Sequence, residues 1–437
     1  MLSLIFIQFF FVNYAATIAI IDSGFDIEHE FIKNKIYQDK SEEDELKKID
    51  LSDNFHGWRI DKEASISSQD LTVTIDQEIF EYKKLKAKSY NEGLTPLEIE
   101  WMKEKRKNPE FRDKLKIFKK VSHGTFVASI AAHEGDIEIL PIKGLRVKDP
   151  VYLFRPNIDP EDAFLVQTIK AKNIDEQMPA IIDYTINRMM IKFHQMIDFI
   201  AQKHIRIVNS SYGISEKKAL SILNNLHFAL FEKEIPKDLE KKYLTLFFDE
   251  IIKRANSALS LHPNTIYIFS AGNTAHNTDE VYHFPSRVNL PNTLSIAASN
   301  GDYLAVFSNY GKKTVDFAAP GVGLNTLIPS FLATDKNQTV PISGTSMAAP
   351  YVANLVAQIL DINPSLTATE VIQMIIETGT KHIHLMEKLK FPMVVNKELA
   401  LKAAKLSLTN NLLDAIRLAN IPLVKNPLSE FWEEETK

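Results

Sequence analysis

Six apolar-rich runs of strand length, at 17–21, 139–143, 205–209, 265–269, 293–298 and 315–318, recur along the chain, and the first of them is continuous rather than alternating. A strand that is apolar at successive positions must be buried on both faces, which is the situation of a parallel sheet covered by helices on either side. The stretches between the runs supply those helices, as 191–200 and the Leu- and Phe-rich 216–260 do. No fixed-period repeat and no low-complexity segment interrupts the alternation, so the sequence predicts one α/β unit. With 437 residues, 45% of them hydrophobic, the chain is long enough for a large core with insertions.

Polar residues follow several of these runs, where open α/β sheets place their ligands. Asp22-Ser23-Gly24 follows the first, Ser211-Tyr212-Gly213 the third and Ser270-Ala271-Gly272-Asn273 the fourth. Taken singly, an Asp or Asn beside Gly reads as a turn. His123 heads a stretch of small residues, 124–132, that reads as a closely packed helix stopping near Gly135. Ser346 opens a second helix, whose apolar residues Ala348, Tyr351, Val352, Leu355, Val356, Ile359 and Leu360 recur at spacings of three and four. The start of a helix carries partial positive charge and free N–H groups, which suit a developing oxyanion. A lone serine there is an ordinary helix cap.

Four residues together change that reading. Attack of a serine hydroxyl on a carbonyl needs a base, a group that orients the base, and donors for the oxyanion. Ser346 would attack, His123 would take its proton, Asp22 would hold the imidazole, and Asn273 with a backbone N–H would bind the oxyanion.

These residues stand in motifs that resemble the subtilisin-like serine proteases. Asp22-Ser23-Gly24 is similar to the family's aspartate motif, His123-Gly124-Thr125 to its histidine motif, and Gly344-Thr345-Ser346-Met347-Ala348-Ala349-Pro350 to its serine motif. The order Asp, His, Ser is that of subtilisin and differs from chymotrypsin and the α/β-hydrolases, and Ala348 replaces the second glycine of the hydrolase elbow. Phe307-Ser308-Asn309-Tyr310-Gly311 and Phe317-Ala318-Ala319-Pro320-Gly321 resemble further landmarks. The resemblance covers most of residues 17–400 and implies a three-layer subtilisin-like α/β fold, with a central mostly parallel sheet flanked by helices. It implies a serine endopeptidase acting through an acyl-enzyme, with no cofactor in the chemical step; calcium often stabilises relatives. It also implies that Ser211, Tyr212 and Gly213 pair with an extended substrate, that Ala271 and Gly272 wall the primary pocket, and that His283 lies at its floor. His56, in the loop that relatives place ahead of the catalytic histidine, is set aside as the base. A catalytically silent scaffold that binds peptides or a protein partner is the competing expectation.

On this reading residues 16–400 form the catalytic domain, with a charged helical insertion at 61–120 and a C-terminal helical tail at 401–437. Between Lys83 and Lys120 there are 13 Lys and Arg against 6 Asp and Glu, with helix breaks at Pro96 and Pro109; a solvated face is expected. Over the whole chain 51 Lys and Arg meet 56 Asp and Glu, a net charge of −5, so protein or peptide partners are expected rather than nucleic acid. The absence of cysteine excludes disulfides, thiolate metal sites and a cysteine nucleophile. An apolar run at 2–12 followed by Ala15 and Ala16 reads as a signal peptide at 1–15, too short to span a membrane, and points to a secreted or periplasmic protein. A buried N-terminal segment of a cytoplasmic protein is the alternative. Relatives commonly carry a propeptide; with Asp22 so near the first residue none fits ahead of it, and the chain is expected to refold alone.

Overall fold

A computed structural model describes residues 16–37, 59–60, 65–144, 167–169, 172–335 and 337–421. The signal-peptide stretch 1–15, the loop bearing His56 and the end of the tail beyond 421 lie outside the described residues.

Six strands carry the site: β1 (Ala16–Asp22), β2 (Ile137–Lys143), β3 (Ile207–Ser210), β4 (Ile266–Ser270), β5 (Thr293–Asn300) and β6 (Phe317–Pro320). They lie side by side in the order β6-β5-β4-β3-β1-β2, all parallel, with short strands added at the edges, among them Arg59–Ile60 antiparallel to β2. The chain passes from β1 to β2 on one side and then returns to β3 on the other. That reversal opens a crevice at the carboxyl ends of β1 and β3, the topological switch point.

The expected double burial is visible residue by residue. Ile18, Ile20, Ile207, Ile266 and Ile268 belong to one core cluster, while Ala19, Val208, Tyr267 and Phe269 belong to another on the opposite face. Ten helices are used below: α1 (Gln77–Asn91), α2 (Pro96–Lys107), α3 (Pro109–Ala131), α4 (Ile174–Gln202), α5 (Glu216–Phe231), α6 (Lys237–Leu259), α7 (Thr345–Ile362), α8 (Ala368–Thr378), α9 (Lys397–Leu406) and α10 (Leu412–Ala419). Helices α3, α7 and α8 cover the first face; α4, α5 and α6 cover the second. Thr367 and Glu370 form the capping box that their spacing predicts for α8. The tail helix α10 packs on α9 and α8.

The helix of His123 differs from the expected one. It begins at Pro109, not beside the histidine, with Asn108 accepting the Phe111 N–H at its start. Phe111, Phe118 and Phe126 are buried along it, and nothing between Pro109 and Ala131 breaks the periodicity. Helix α1 and the outer part of α3 are therefore welded to the core: Phe80 of α1 meets Phe118 edge-on at 5.4 Å, and Phe118 meets Phe126 at 5.8 Å. At the far end of α1, Tyr90 packs on Phe307 and its carbonyl accepts from Asn300.

Candidate active site

Asp22 ends β1 in the crevice, almost fully buried. Its carboxylate accepts the Ser23 N–H at 2.7 Å and presents both oxygens to His123 Nδ1, at 2.8 and 2.9 Å. An ionised carboxylate only accepts, so the imidazole proton sits on Nδ1 and the Nε2 lone pair is left free to act as a base. Two glycines make this approach close enough. A Cβ on Gly124 would stand 2.2 Å from the Gly24 carbonyl oxygen, so only glycine lets α3 lie against the loop that carries Asp22. Next to it, Thr125 Oγ1 accepts the Asp26 N–H.

Ser346 is the second residue of α7. Four residues on, Pro350 has no N–H, so the Ser346 carbonyl lacks its helical donor. The Ser211 hydroxyl fills that place at 3.0 Å, and Ser346 Oγ donates back to the Ser211 carbonyl at 3.3 Å. The nucleophile candidate is thus held on the segment after β3, while its own N–H belongs to the first turn, whose amides have no helical acceptor.

Asn273 sits on the exposed loop after β4. Its Oδ1 accepts the Thr345 N–H at 2.8 Å and the Thr345 hydroxyl at 3.2 Å. Because an amide N–H can bond only to the oxygen, this contact fixes the orientation of the carboxamide and leaves Nδ2 as the outward donor. Asn309 holds the loop in turn: its Oδ1 accepts from Thr274 N, Thr274 Oγ1 and His276 N, and its Nδ2 donates to the Ala271 carbonyl. Gly272, at φ +106°, passes so near that a Cβ would lie 2.4 Å from Asn309 Nδ2.

One cleft of about 520 Å³ gathers Asp22, His123, Asn273 and Ser346 with Ser211, Tyr212, Gly213, Gly272 and His283. Ala271 does not join them; it is fully buried behind the strand end against Ala297 and Ala318. The imidazole of His283 is buried between Gly213 and Gly272, where Cβ atoms would come within 2.5 and 3.1 Å of it. Its Nδ1 meets Ser286 Oγ at 2.8 Å, and that hydroxyl also donates to the His283 carbonyl. A hydroxyl has one proton to give, so Nδ1 is the donor in the first contact and Nε2 offers the cleft an acceptor. Burial pushes the His283 pKa down to about 4, so the ring is uncharged at neutral pH.

Two contributions escaped the sequence reading. Asn309 lay in a quoted landmark motif with no role attached. Lys116, Lys119 and Lys120 line the same cleft, seven, four and three residues before His123 on one helix face. Their spacing was legible, but only to a reading that carried the helix back past Val121. Among the described residues no group of three or more His, Asp and Glu forms that could hold a metal ion, so no calcium ligands are assigned.

The sequence model of the subtilase family matches residues 14–397, and the chain belongs to that family. Among its curated relatives, the putative subtilase-type proteinase isp6 of Schizosaccharomyces pombe is 40% identical over 121 residues, 28% of this chain and 24% of that one. The extracellular serine proteinase of a Thermus species is 33% identical over 124 residues, 28% of each chain. The matched stretches therefore span only about a quarter of these relatives. Among solved structures, the PatG macrocyclase in complex with peptide aligns over 89% of this chain and 91% of that one at 14% identity, with a TM-score of 0.45.

Proposed function

We propose that this chain is a serine endopeptidase in which Asp22, His123 and Ser346 act as a triad. The observation that carries the reading is the two-oxygen contact of Asp22 with His123 Nδ1, in the cleft that Ser346 and Asn273 also line. The Ser346 hydroxyl leaves the Ser211 carbonyl, attacks the scissile carbonyl carbon and passes its proton to His123 Nε2. Asn273 Nδ2 and the Ser346 N–H stabilise the oxyanion. His123 then protonates the leaving amine, and a water, deprotonated in the same way, releases the acid and restores Ser346.

Tyr212 and Gly213 border the cleft as an edge along which an extended peptide adds as a strand. Gly272 and His283 close the primary pocket, which the neutral imidazole makes narrow and accepting. A small side chain with a hydrogen-bond donor suits it.

A fluorophosphonate reagent tests the reading together with an unstructured protein as substrate. Labelling of Ser346 and fragment formation are expected, both lost in Ser346→Ala. A folded preparation that neither labels nor cuts overturns the peptidase reading in favour of a silent peptide-binding scaffold. Asn273→Ala should lower turnover roughly 10²–10³-fold, the magnitude known for the matching asparagine of subtilisin rather than one drawn from this chain.

A further inference from the structure

Pro350 leaves one carbonyl of α7 without its helical donor, and that carbonyl belongs to Ser346. The replacement donor comes from the sheet beneath the helix. Asn209, fully buried near the end of β3, donates from Nδ2 to Ser211 Oγ at 3.2 Å, and Ser211 Oγ donates to the Ser346 carbonyl at 3.0 Å. The Ser346 hydroxyl bonds back to the Ser211 carbonyl at 3.3 Å. Chemistry sets the direction of this chain. A carbonyl only accepts, so the single Ser211 hydroxyl proton points to Ser346, and Asn209 must then offer an N–H.

Packing alone does not explain Asn209. It pairs with Ile20 and Ile268 on the neighbouring strands and shares with Ile207 the sheet face that α7 covers. Its Oδ1 has no hydrogen-bond partner among the described residues. A buried carboxamide with an unmatched oxygen destabilises a fold, and an apolar side chain would suit this strand better. Among the described residues the polar contact its side chain does make is the one to Ser211. The turn that enters α7 is held in a similar way at each step: the Gly321 carbonyl accepts the Gly344 N–H, and Asn273 Oδ1 accepts the Thr345 N–H. Support therefore reaches residues 344–346 from beyond the ends of β6, β4 and β3, and at the nucleophile candidate it arrives through two side chains in series.

We infer that Asn209 and Ser211 are positioning residues for Ser346: their hydrogen-bonded relay takes the place of the N–H that Pro350 withholds and fixes the nucleophile's backbone. Both the Ser346 Oγ and the Ser346 N–H are presented to a scissile carbonyl from that backbone, so a small displacement disturbs attack and oxyanion binding together. The relay also turns the Ser211 side chain away from substrate. Its proton is committed to Ser346 and its oxygen to Asn209, which leaves the Ser211 backbone to pair with a peptide. The inference rests on the peptidase reading for the reaction, and its signature is a coupling between positions 211 and 350.

The test is a double-substitution cycle on the full chain: unaltered, Ser211→Ala, Pro350→Ala, and both together. Cleavage of fluorescein-labelled casein and the rate of fluorophosphonate labelling are measured for each. With Pro350 present, Ser211→Ala should lower kcat and the labelling rate about tenfold and leave apparent KM within about twofold. Pro350→Ala returns an N–H to the Ser346 carbonyl, so in that background Ser211→Ala should lower kcat by less than about twofold. Asn209→Val keeps a strand-forming residue but removes the donor, and should lower kcat about threefold with apparent KM unmoved. An equal penalty in both backgrounds, or a rise in KM in place of the fall in kcat, overturns the inference while the peptidase reading stands. Thermal unfolding of the same chains separates a structural role from a positioning one: coupling seen in melting temperature but not in kcat also overturns the inference. An unaltered chain that neither labels nor cuts refutes the peptidase reading, and the positioning role falls with it.

Discussion

Helix α3 is one continuous helix with two characters. From Pro109 to Lys120 only Phe111 and Phe118 are buried, and charged residues fill most of the remainder. From Val121 to Ala131 every residue except His123 is buried, and most are small. The inner half is fixed by backbone approach: Gly124 against Gly24, Asn354 Nδ2 donating to the Ala131 carbonyl, and dense contact with α7. The outer half is fixed by two aromatic anchors and leaves its surface free for charge. The contrast teaches that one rigid element can answer to two different physical constraints, close backbone approach around the proposed base and a charged surface beyond it. At Gly124 the inner half has no room for an added atom, whereas the outer half should accept most changes that keep the helix and its two rings.

Substitutions on either side of Val121 break or sharpen this division. His123→Ala should abolish the function of the inner half, lowering turnover on the order of 10⁶-fold, as known from subtilisin, with circular dichroism unchanged. Phe118→Ala attacks the anchor of the outer half instead. It should cost about 3–5 kcal/mol in denaturant unfolding, since it removes a fully buried ring held by Phe80 and Phe126, while the molecules still folded keep their turnover. A kcat that fell with stability would show that the two halves are not separable. Gly124→Ala adds one methyl where the Gly24 carbonyl stands, pushing His123 away from Asp22; turnover should drop about 10²-fold, with a stability loss of roughly 1–3 kcal/mol.

The smallest effect belongs to the charge behind the outer half. Lys83 is charged in both folded and unfolded chains below about pH 8, so its burial penalty is then present in full. Between about 8 and the ordinary value of 10.5 the folded chain releases its proton first, and stability rises with pH through that window. Lys83→Met should therefore stabilise by about 1 kcal/mol at pH 7, a gain discounted for partial exposure. Thermal unfolding across this pH range should show the gain disappearing by about pH 10.5; a constant difference would mean that Lys83 is fully hydrated.

Much of the fold was legible because double burial writes itself into sequence. Ile18 and Ile20 face one helix layer while Ala19 faces the other, and that requirement leaves no place for polar alternation. The candidate site was legible through short motifs whose glycines and small residues reflect close approach, as at Gly124 and Gly272. What escaped depended on contacts between distant segments. Nothing near Asn309 says that its carboxamide will organise residues 271–276, and nothing near Ala271 says that its side chain turns away from the cleft. The length of α3 was missed for a different reason: Ser122-His123-Gly124 resembles a helix start, and tertiary packing of Phe118 and Phe126 overrides that local signal.

The proline at position 350 has a consequence for observing whether the cleft is filled. By withholding its N–H it diverts the Ser346 carbonyl to Ser211, and the Ser346 amide, in the first turn, has no acceptor among the described residues. In deuterated solvent that amide should exchange quickly, while those of Leu355 and Val356, deep in the same helix, stay protected. An occupant that places an oxygen at this N–H will slow its exchange. The chain thus carries an isotopic reporter of cleft occupancy at the residue proposed to do the chemistry, readable without any label attached to either partner.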